Sequence, residues 1–260
     1  MINFESPLSI QLRKEMVRGI RDFDMISDGD KIMVCVSGGK DSSVLLALLK
    51  EAQKKAPFHF TIEAVMLDQK QPGFSAQTFI HWVKEELNIP FHLIEKDTYS
   101  IVKEKTPEGK TYCTLCSKFR RAILYDFAFS HGFTKMALGH HREDINTTAL
   151  LNMFYVGTMA TMPPKLKSDD GRNIIIRPLV YLAEEDILNL SIEWNIPTLP
   201  CNLCSSQENL KRNQMKLLLK DLEKKIPNVS SSLLTSLSQV HPRHLLDKNL
   251  WNFDHLKRNE

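Results

Sequence analysis

Apolar and polar positions along this chain switch repeatedly between a helical and a strand-like period. Leu8, Leu12, Met16, Ile20 and Phe23 recur at helical spacing and predict an amphipathic helix over 8–24. The apolar run Ile32 to Val36 predicts a buried parallel strand at 31–36, and Val44 to Leu49 a helix over roughly 42–54. Phe58 to Leu67 reads as the second strand, 74–87 as a helix after the break at Gln71-Pro72-Gly73, and Pro90 to Ile94 as a short third strand. The polar segment 97–112, with Pro107 and Gly109, reads as a loop. A helix over 117–130, a fourth strand at Lys135 to Leu138 and a helix over 142–155 follow. Gly157 to Gly171 reads as a long basic loop, Asn173 to Pro178 as the fifth strand and Glu184 to Trp194 as a helix. Pro197 to Ser206 is a Cys-bearing loop, and helices over 207–224 and 229–239 precede a mixed tail.

Strands alternating with helices predict an α/β fold: a doubly wound, five-stranded parallel sheet with N- and C-terminal helical additions. The expected divisions are a helical segment at 1–28, a nucleotide-type domain at 29–200 and a Cys-bearing helical extension at 201–260. Such sheets bind ligands at the C-terminal strand ends, near the switch in strand order. Ser37 to Ser42 leaves strand one at that edge and Gly139-His140-His141 leaves strand four there, so both are expected in one cleft.

Composition adds bounds. At 260 residues, 42% hydrophobic and 25% charged, the chain is ordinary globular material with room for one large domain. No apolar run approaches a membrane span, and the N-terminus lacks a secretory pattern, so cytoplasm is the expected location. A net charge of +3 permits a nucleic-acid partner without arguing for one.

Candidate chemistry starts at Val34 to Leu46. A strand, two glycines and a helix start make an anion site, because unpaired N–H groups and the helix dipole point at one place. The loop is not a Walker A motif: Asp41 follows Gly39-Lys40, and position 34 is Val. The string Ser37-Gly38-Gly39-Lys40-Asp41-Ser42 instead resembles the PP-loop of the ATP pyrophosphatases, which cleave ATP between the α and β phosphates.

Cys113-x-x-Cys116 and Cys201-x-x-Cys204 are separated by a long interval. In a reducing compartment such pairs point to metal or redox chemistry. Iron–sulfur, zinc and redox readings all accept thiolates, and spacing alone divides iron from zinc evenly. Cys35 lies within an apolar strand and reads as a buried cysteine without a function.

Further strings join these: Leu67-Asp68-Gln69-Lys70-Gln71-Pro72-Gly73-Phe74, Cys113 to Arg121, Leu138 to Ile145, Asn152 to Tyr155, Met162 to Leu166, Ile176 to Leu179, Pro200 to Cys204 and Pro242 to Asp247. Together with the PP-loop they resemble the TtcA family, the tRNA 2-thiocytidine synthetases, over nearly the whole chain. Two departures, Glu143 and Ser205, remove no chemical group the family pattern needs. The resemblance implies a Rossmann-like fold, ATP with Mg2+, a 4Fe-4S cluster on three cysteines, and sulfur transfer to a cytidine of the tRNA anticodon loop. It implies nucleotide binding at Ser37, Gly38, Gly39, Lys40, Asp41, Ser42, Asp68 and Gly139. For the cluster Cys113, Cys116 and Cys201 are chosen, with Cys204 the competing third ligand. A cysteine desulfurase or other sulfur donor and a homodimer are further expected partners.

Each residue also has a plainer reading. Lys40 is expected to hold the departing pyrophosphate, and Asp41 either binds Mg2+ or caps a helix. Asp144 is a metal ligand, an acid–base group or a favourable first-turn charge, and His140 and His141 read equally well as packing residues. Arg120, one turn after Cys116, acts on its thiolate or on a phosphate, or forms a solvated pair. Lys165, Lys167, Arg172 and Arg177 make 157–177 basic and are the candidate tRNA contacts; Lys211, Arg212, Lys216, Lys220, Lys224 and Lys225 add charge further on. The alternatives are a 2-thiouridine or lysidine synthetase of the same superfamily, or a non-enzymatic iron–sulfur or zinc RNA-binding protein.

Overall fold

The computed structural model describes residues 2–105, 113–199 and 207–253. Its helices and strands run α1 (Pro7–Asp22), β1 (Lys31–Cys35), α2 (Lys40–Lys55), β2 (Thr61–Asp68), α3 (Gln77–His81), β3 (Phe91–Glu95), α4 (Thr98–Lys105) and α5 (Cys113–Ser130). They continue as β4 (Lys135–Ala137), α6 (Arg142–Leu151), β5 (Lys165–Lys167), β6 (Ile174–Ile176), α7 (Glu184–Glu193), α8 (Gln207–Lys225) and α9 (Val229–Ser236). A π-helical turn extends α3 through Trp82–Glu86 and another extends α6 through Asn152–Val156.

Among the described residues the sheet has six strands in the order β3-β2-β1-β4-β6-β5. Five are parallel. The sixth, β5, lies antiparallel on β6, with Lys165 opposite Ile176 and Lys167 opposite Ile174. This corrects the five-stranded expectation: Lys165-Leu166-Lys167 is an edge strand inside the segment read as a loop. Three residues after two prolines are too short for a period to show, and only pairing with β6 makes them a strand. A second correction is α4 within 97–112. Its start was marked by Asp97, whose side chain accepts the Ser100 N–H at 2.9 Å, while Pro107 and Gly109 come only after its last turn.

Alternation along β1 divides the core. Ile32 and Val34 point to one face, where Leu12 and Met16 of α1, Leu45, Leu46, Leu48 and Leu49 of α2, and Ile187 and Leu190 of α7 are buried with them. Met33 points to the other face, with Val65, Met136 and Leu124 and Ala128 of α5. A separate small cluster, Leu150, Met215 and Leu219, seats α8 on α6. Both faces of the sheet are covered, as a parallel sheet requires. The strand order winds outward in opposite directions from β1 and β4, which are parallel, so the loops leaving these two strands open a crevice at their C-terminal ends.

Candidate active site

The loop between β1 and α2 sits at that crevice. Gly38 has φ of +77°, a left-handed turn, and a Cβ there would lie 2.5 Å from the Leu199 side chain. Leu199 also donates its N–H to Gly38 O at 2.9 Å, which pins the chain entering the second cysteine pair onto this loop. Ser42 holds the turn closed: its Oγ accepts the Ser37 N–H at 3.2 Å and donates to Gly39 O at 3.2 Å. Among the described residues no side chain caps α2, so its first N–H groups are left for an anion. Gly139, from the β4 loop, presses on this turn, and a Cβ there would come within 2.8 Å of Ser42 N. The two loops expected in one cleft are therefore in van der Waals contact.

Charged groups surround that contact. Lys40 Nζ lies 2.8 Å from Asp41 Oδ1 and 3.5 Å from Glu184 Oε1. Burial alone would lower the Lys40 pKa, but the carboxylates of Asp41 and Glu184 outweigh it and hold it above its ordinary value. His141 is buried, with Nδ1 3.2 Å from Glu143 and Nε2 3.4 Å from Asp144 and 3.9 Å from both Asp41 and Glu184. Desolvation pulls its pKa down, yet Glu143, Asp144 and Asp41 together raise it. Asp144 Oδ1 takes Arg212 at 2.9 Å, while its Oδ2 accepts the His141 N–H at 3.4 Å. Burial raises the Asp144 pKa, but the charges of His141 and Arg212 more than reverse this and hold it low. His140 goes the other way: desolvation and the Arg177 charge push it down to about 4, and its Nδ1 accepts from Arg177 Nε at 3.3 Å.

A second group lies at the end of β2. Gln69 is buried, donates to Thr98 Oγ1 at 2.7 Å and to Cys116 Sγ at 3.3 Å, and accepts from Arg120 Nη2 at 3.0 Å. Arg120 thus meets an amide held against Cys116. Asp68, beside Gln69, accepts the Lys70 N–H at 2.7 Å and pairs with the Lys70 ammonium at 3.3 Å. The Cys113 side chain, Cys201 and Cys204 lie outside the described residues. Cys35, expected to be buried, is only partly buried against the Met33 and Val65 cluster, and desolvation pushes its thiol up to about 12.

The four predicted tRNA contacts are dispersed. Lys165 pairs with Asp24 at 3.2 Å, and Arg172 with Asp126 and Asp170 at 2.7 Å each. Lys167 is exposed on β5. Arg177 is buried against Pro163 O and His140. The sequence reading missed Glu143, Glu184, Gln69, Arg212 and Lys216 as site residues. Glu184 reads in sequence as an ordinary first-turn acid of α7, and Arg212 and Lys216 as two of many helix cations.

A family model described as a PP-loop domain matches residues 10–216. A tRNA-cytidine(32) 2-sulfurtransferase of Bdellovibrio bacteriovorus is 61% identical over 98% of this chain and 98% of its own length. This chain belongs to the TtcA family, the tRNA-cytidine(32) 2-sulfurtransferases. A relative of the same name from Hahella chejuensis is 53% identical over 95% of this chain and 86% of its own. The U34-tRNA thiolase NcsA of Methanococcus maripaludis, solved with its 4Fe-4S cluster, superposes with a TM-score of 0.70 at 23% identity. It covers 89% of this chain and 82% of its own, and that likeness shows the fold.

The TtcA-family site can be tested against the groups the family implies. The uncapped α2 terminus, the Gly38 turn and Lys40 fit a polyphosphate. Among the described residues no three metal-binding side chains form a ready cage. Mg2+ needs none, since it is bound by one or two carboxylates together with substrate phosphates, and Asp41 stands at the phosphate end. For an iron–sulfur cluster, Cys116 is in the first turn of α5, a position that favours negative charge, with the Gln69 amide beside it and Arg120 on that amide.

Proposed function

We propose that this chain is an ATP-dependent tRNA thiolase that converts a cytidine at position 32 of the anticodon loop to 2-thiocytidine. One observation carries the reading: an ATP-type phosphate loop and Cys116 share a single sheet edge, the first after β1 and the second against Gln69 at the end of the neighbouring β2. Adenylation and sulfur delivery both need to reach one base, and this edge brings their groups together. The family relatives carry this activity in their name.

A pyrimidine O2 is a poor leaving group. In the first step O2 attacks the α phosphorus of ATP, the bond to the bridging oxygen breaks, and pyrophosphate leaves with the electron pair. The N–H groups at the start of α2 and Lys40 hold the charge that gathers on pyrophosphate. Asp41, with Asp144 nearby, would hold Mg2+, whose positive charge would offset that of the phosphates. Gly139 keeps the β4 loop tight on the phosphate turn, and Asp68 borders the nucleotide from β2. Cys113, Cys116 and Cys201, or Cys204 in place of Cys201, would hold the 4Fe-4S cluster, which supplies the sulfur that replaces the activated oxygen. Gln69, held in turn by Arg120, fixes the Cys116 side chain for that task. Lys165, Lys167 and Arg172 would meet RNA phosphates at separate points of the surface, and buried Arg177 would act on RNA through the Pro163 and His140 groups it holds. In this reading residues 29–200 carry the nucleotide chemistry and 201–260 bring the second cysteine pair. The protein works in the cytoplasm, as a homodimer, with a cysteine desulfurase or another donor renewing the sulfur.

The test is anaerobic turnover with tRNA, followed by nucleoside mass spectrometry and product analysis. Wild type is expected to yield 2-thiocytidine, AMP and pyrophosphate. Asp41→Ala and Ser42→Ala should stop AMP formation while the protein keeps its iron. Release of ADP and orthophosphate by wild type would overturn the reading.

A further inference from the structure

The nucleotide edge has a cationic wall that does not come from the phosphate loop. Arg212 and Lys216 stand one turn apart on α8 and so share a face. Arg212 Nη2 lies 2.9 Å from Asp144 Oδ1, and Lys216 Nζ lies 3.2 Å from each Glu184 oxygen. Lys40 of the phosphate loop shares Glu184 with Lys216. The chain Arg212, Asp144, His141, Asp41, Lys40, Glu184, Lys216 is therefore continuous, each contact 3.9 Å or less. Met215 and Leu219, buried against Leu150, seat α8 in this position, and the buried Asn146 amide bonds Ser230 O just beyond it. Lys211, Lys220, Lys224 and Lys225 on the same helix are exposed, whereas Arg212 and Lys216 are half-buried and turned inward.

We propose that Arg212 and Lys216 are phosphate-binding residues of the ATP site, trading Asp144 and Glu184 for polyphosphate oxygens when nucleotide enters. The inference rests on the ATP-dependent reading above. One observation and two physical arguments lead to it. The two cations face the uncapped α2 terminus across only one layer of carboxylates. Partly exposed ion pairs add little stability, so their exchange for a more highly charged partner is favourable. A guanidinium fork matches two phosphate oxygens at once, and charge grows on pyrophosphate as it departs. An RNA backbone is the other source of phosphate on this substrate, but it would meet the outward lysines of α8 first.

The experiment compares the cluster-loaded wild type with Arg212→Gln, Arg212→Lys and Lys216→Gln, with exposed Lys84→Gln as control. ATP affinity is read by calorimetry, the ATP KM and kcat from tRNA-dependent AMP formation, and tRNA affinity by filter binding at fixed salt. Arg212→Gln should weaken ATP binding by at least about tenfold, the loss expected of a charge-assisted phosphate contact. Its tRNA affinity should stay near that of wild type. Arg212→Lys should recover part of the loss, and it keeps a cation on Asp144 should the Gln variant fold poorly. Weakened tRNA binding with unchanged ATP binding would assign the pair to RNA and overturn the proposal, as would unchanged values for both. A wild type that binds ATP but forms no AMP would instead refute the thiolase reading, and the calorimetric comparison would still judge Arg212.

Discussion

His140 and His141 are adjacent, both largely enclosed, and pushed in opposite directions by their surroundings. Desolvation and Arg177 hold His140 at about 4, below the ordinary 6.5, so between those values the unfolded chain binds a proton that the folded chain refuses. Its contribution therefore weakens stability as pH falls from 6.5 towards 4, and His140→Gln should flatten that part of a urea-stability profile. His141 is desolvated too, but its carboxylate neighbours raise it above 6.5. Its stabilising contribution is complete below 6.5 and is lost as pH rises through the folded value. Ring-proton NMR should show His141 with a midpoint above 6.5 and no His140 midpoint between pH 6 and 8. The dipeptide was legible as part of a loop; the opposite pKa shifts of its two rings were not, because they depend on Arg177 and Asp41 arriving from distant elements. Gly139 beside them has a sharper geometric task. A Cβ there meets the Ser42 backbone at 2.8 Å, so Gly139→Ala must displace the phosphate loop. ATP affinity, measured by calorimetry, should fall at least about tenfold, as expected when backbone donors shift off a charged ligand.

At the level of elements, the end of β2 is joined to α4 and α5 by one buried amide. Gln69 bonds Thr98 on α4 and both Cys116 and Arg120 on α5. Gln69→Leu keeps the volume and removes every one of these bonds. It should leave tRNA-dependent AMP formation within about threefold of wild type, since the phosphate loop is untouched, yet lower iron content and 2-thiocytidine yield together. Iron assay and nucleoside mass spectrometry on the same preparation check this, and unchanged iron would show that Gln69 does not support the cysteine site. Most elements were legible because their periods lie within contiguous residues. β5 and α4 were not. The first is a strand only through its ladder to β6, and the second is held through Val102 and Thr98 against the rest of the fold.

At the level of the whole molecule, Leu199 ties the segment leading to Cys201 and Cys204 onto the phosphate loop. If Cys201 is the third cluster ligand, Cys201→Ser should lose iron and thiolation while Cys204→Ser keeps its iron, and the reverse result would exchange the two assignments. Full iron and full activity in both variants would end the three-cysteine mechanism, because a cluster on two cysteines is expected to be labile. In either iron-deficient variant ATP binding should survive, since the phosphate loop lies on a different segment of the chain. The sequence alone determined the strand–turn–helix phosphate loop, the α/β alternation, the paired cysteines and the family, all of which are written in short contiguous strings whose backbone conformation is local. Tertiary structure decided which distant side chains face that loop. Glu184, Arg212 and Lys216 reach it because Leu150, Met215 and Leu219 seat α8 on α6 and because α7 packs on α2. Such meetings depend on the packing of whole helix faces, which no local pattern encodes.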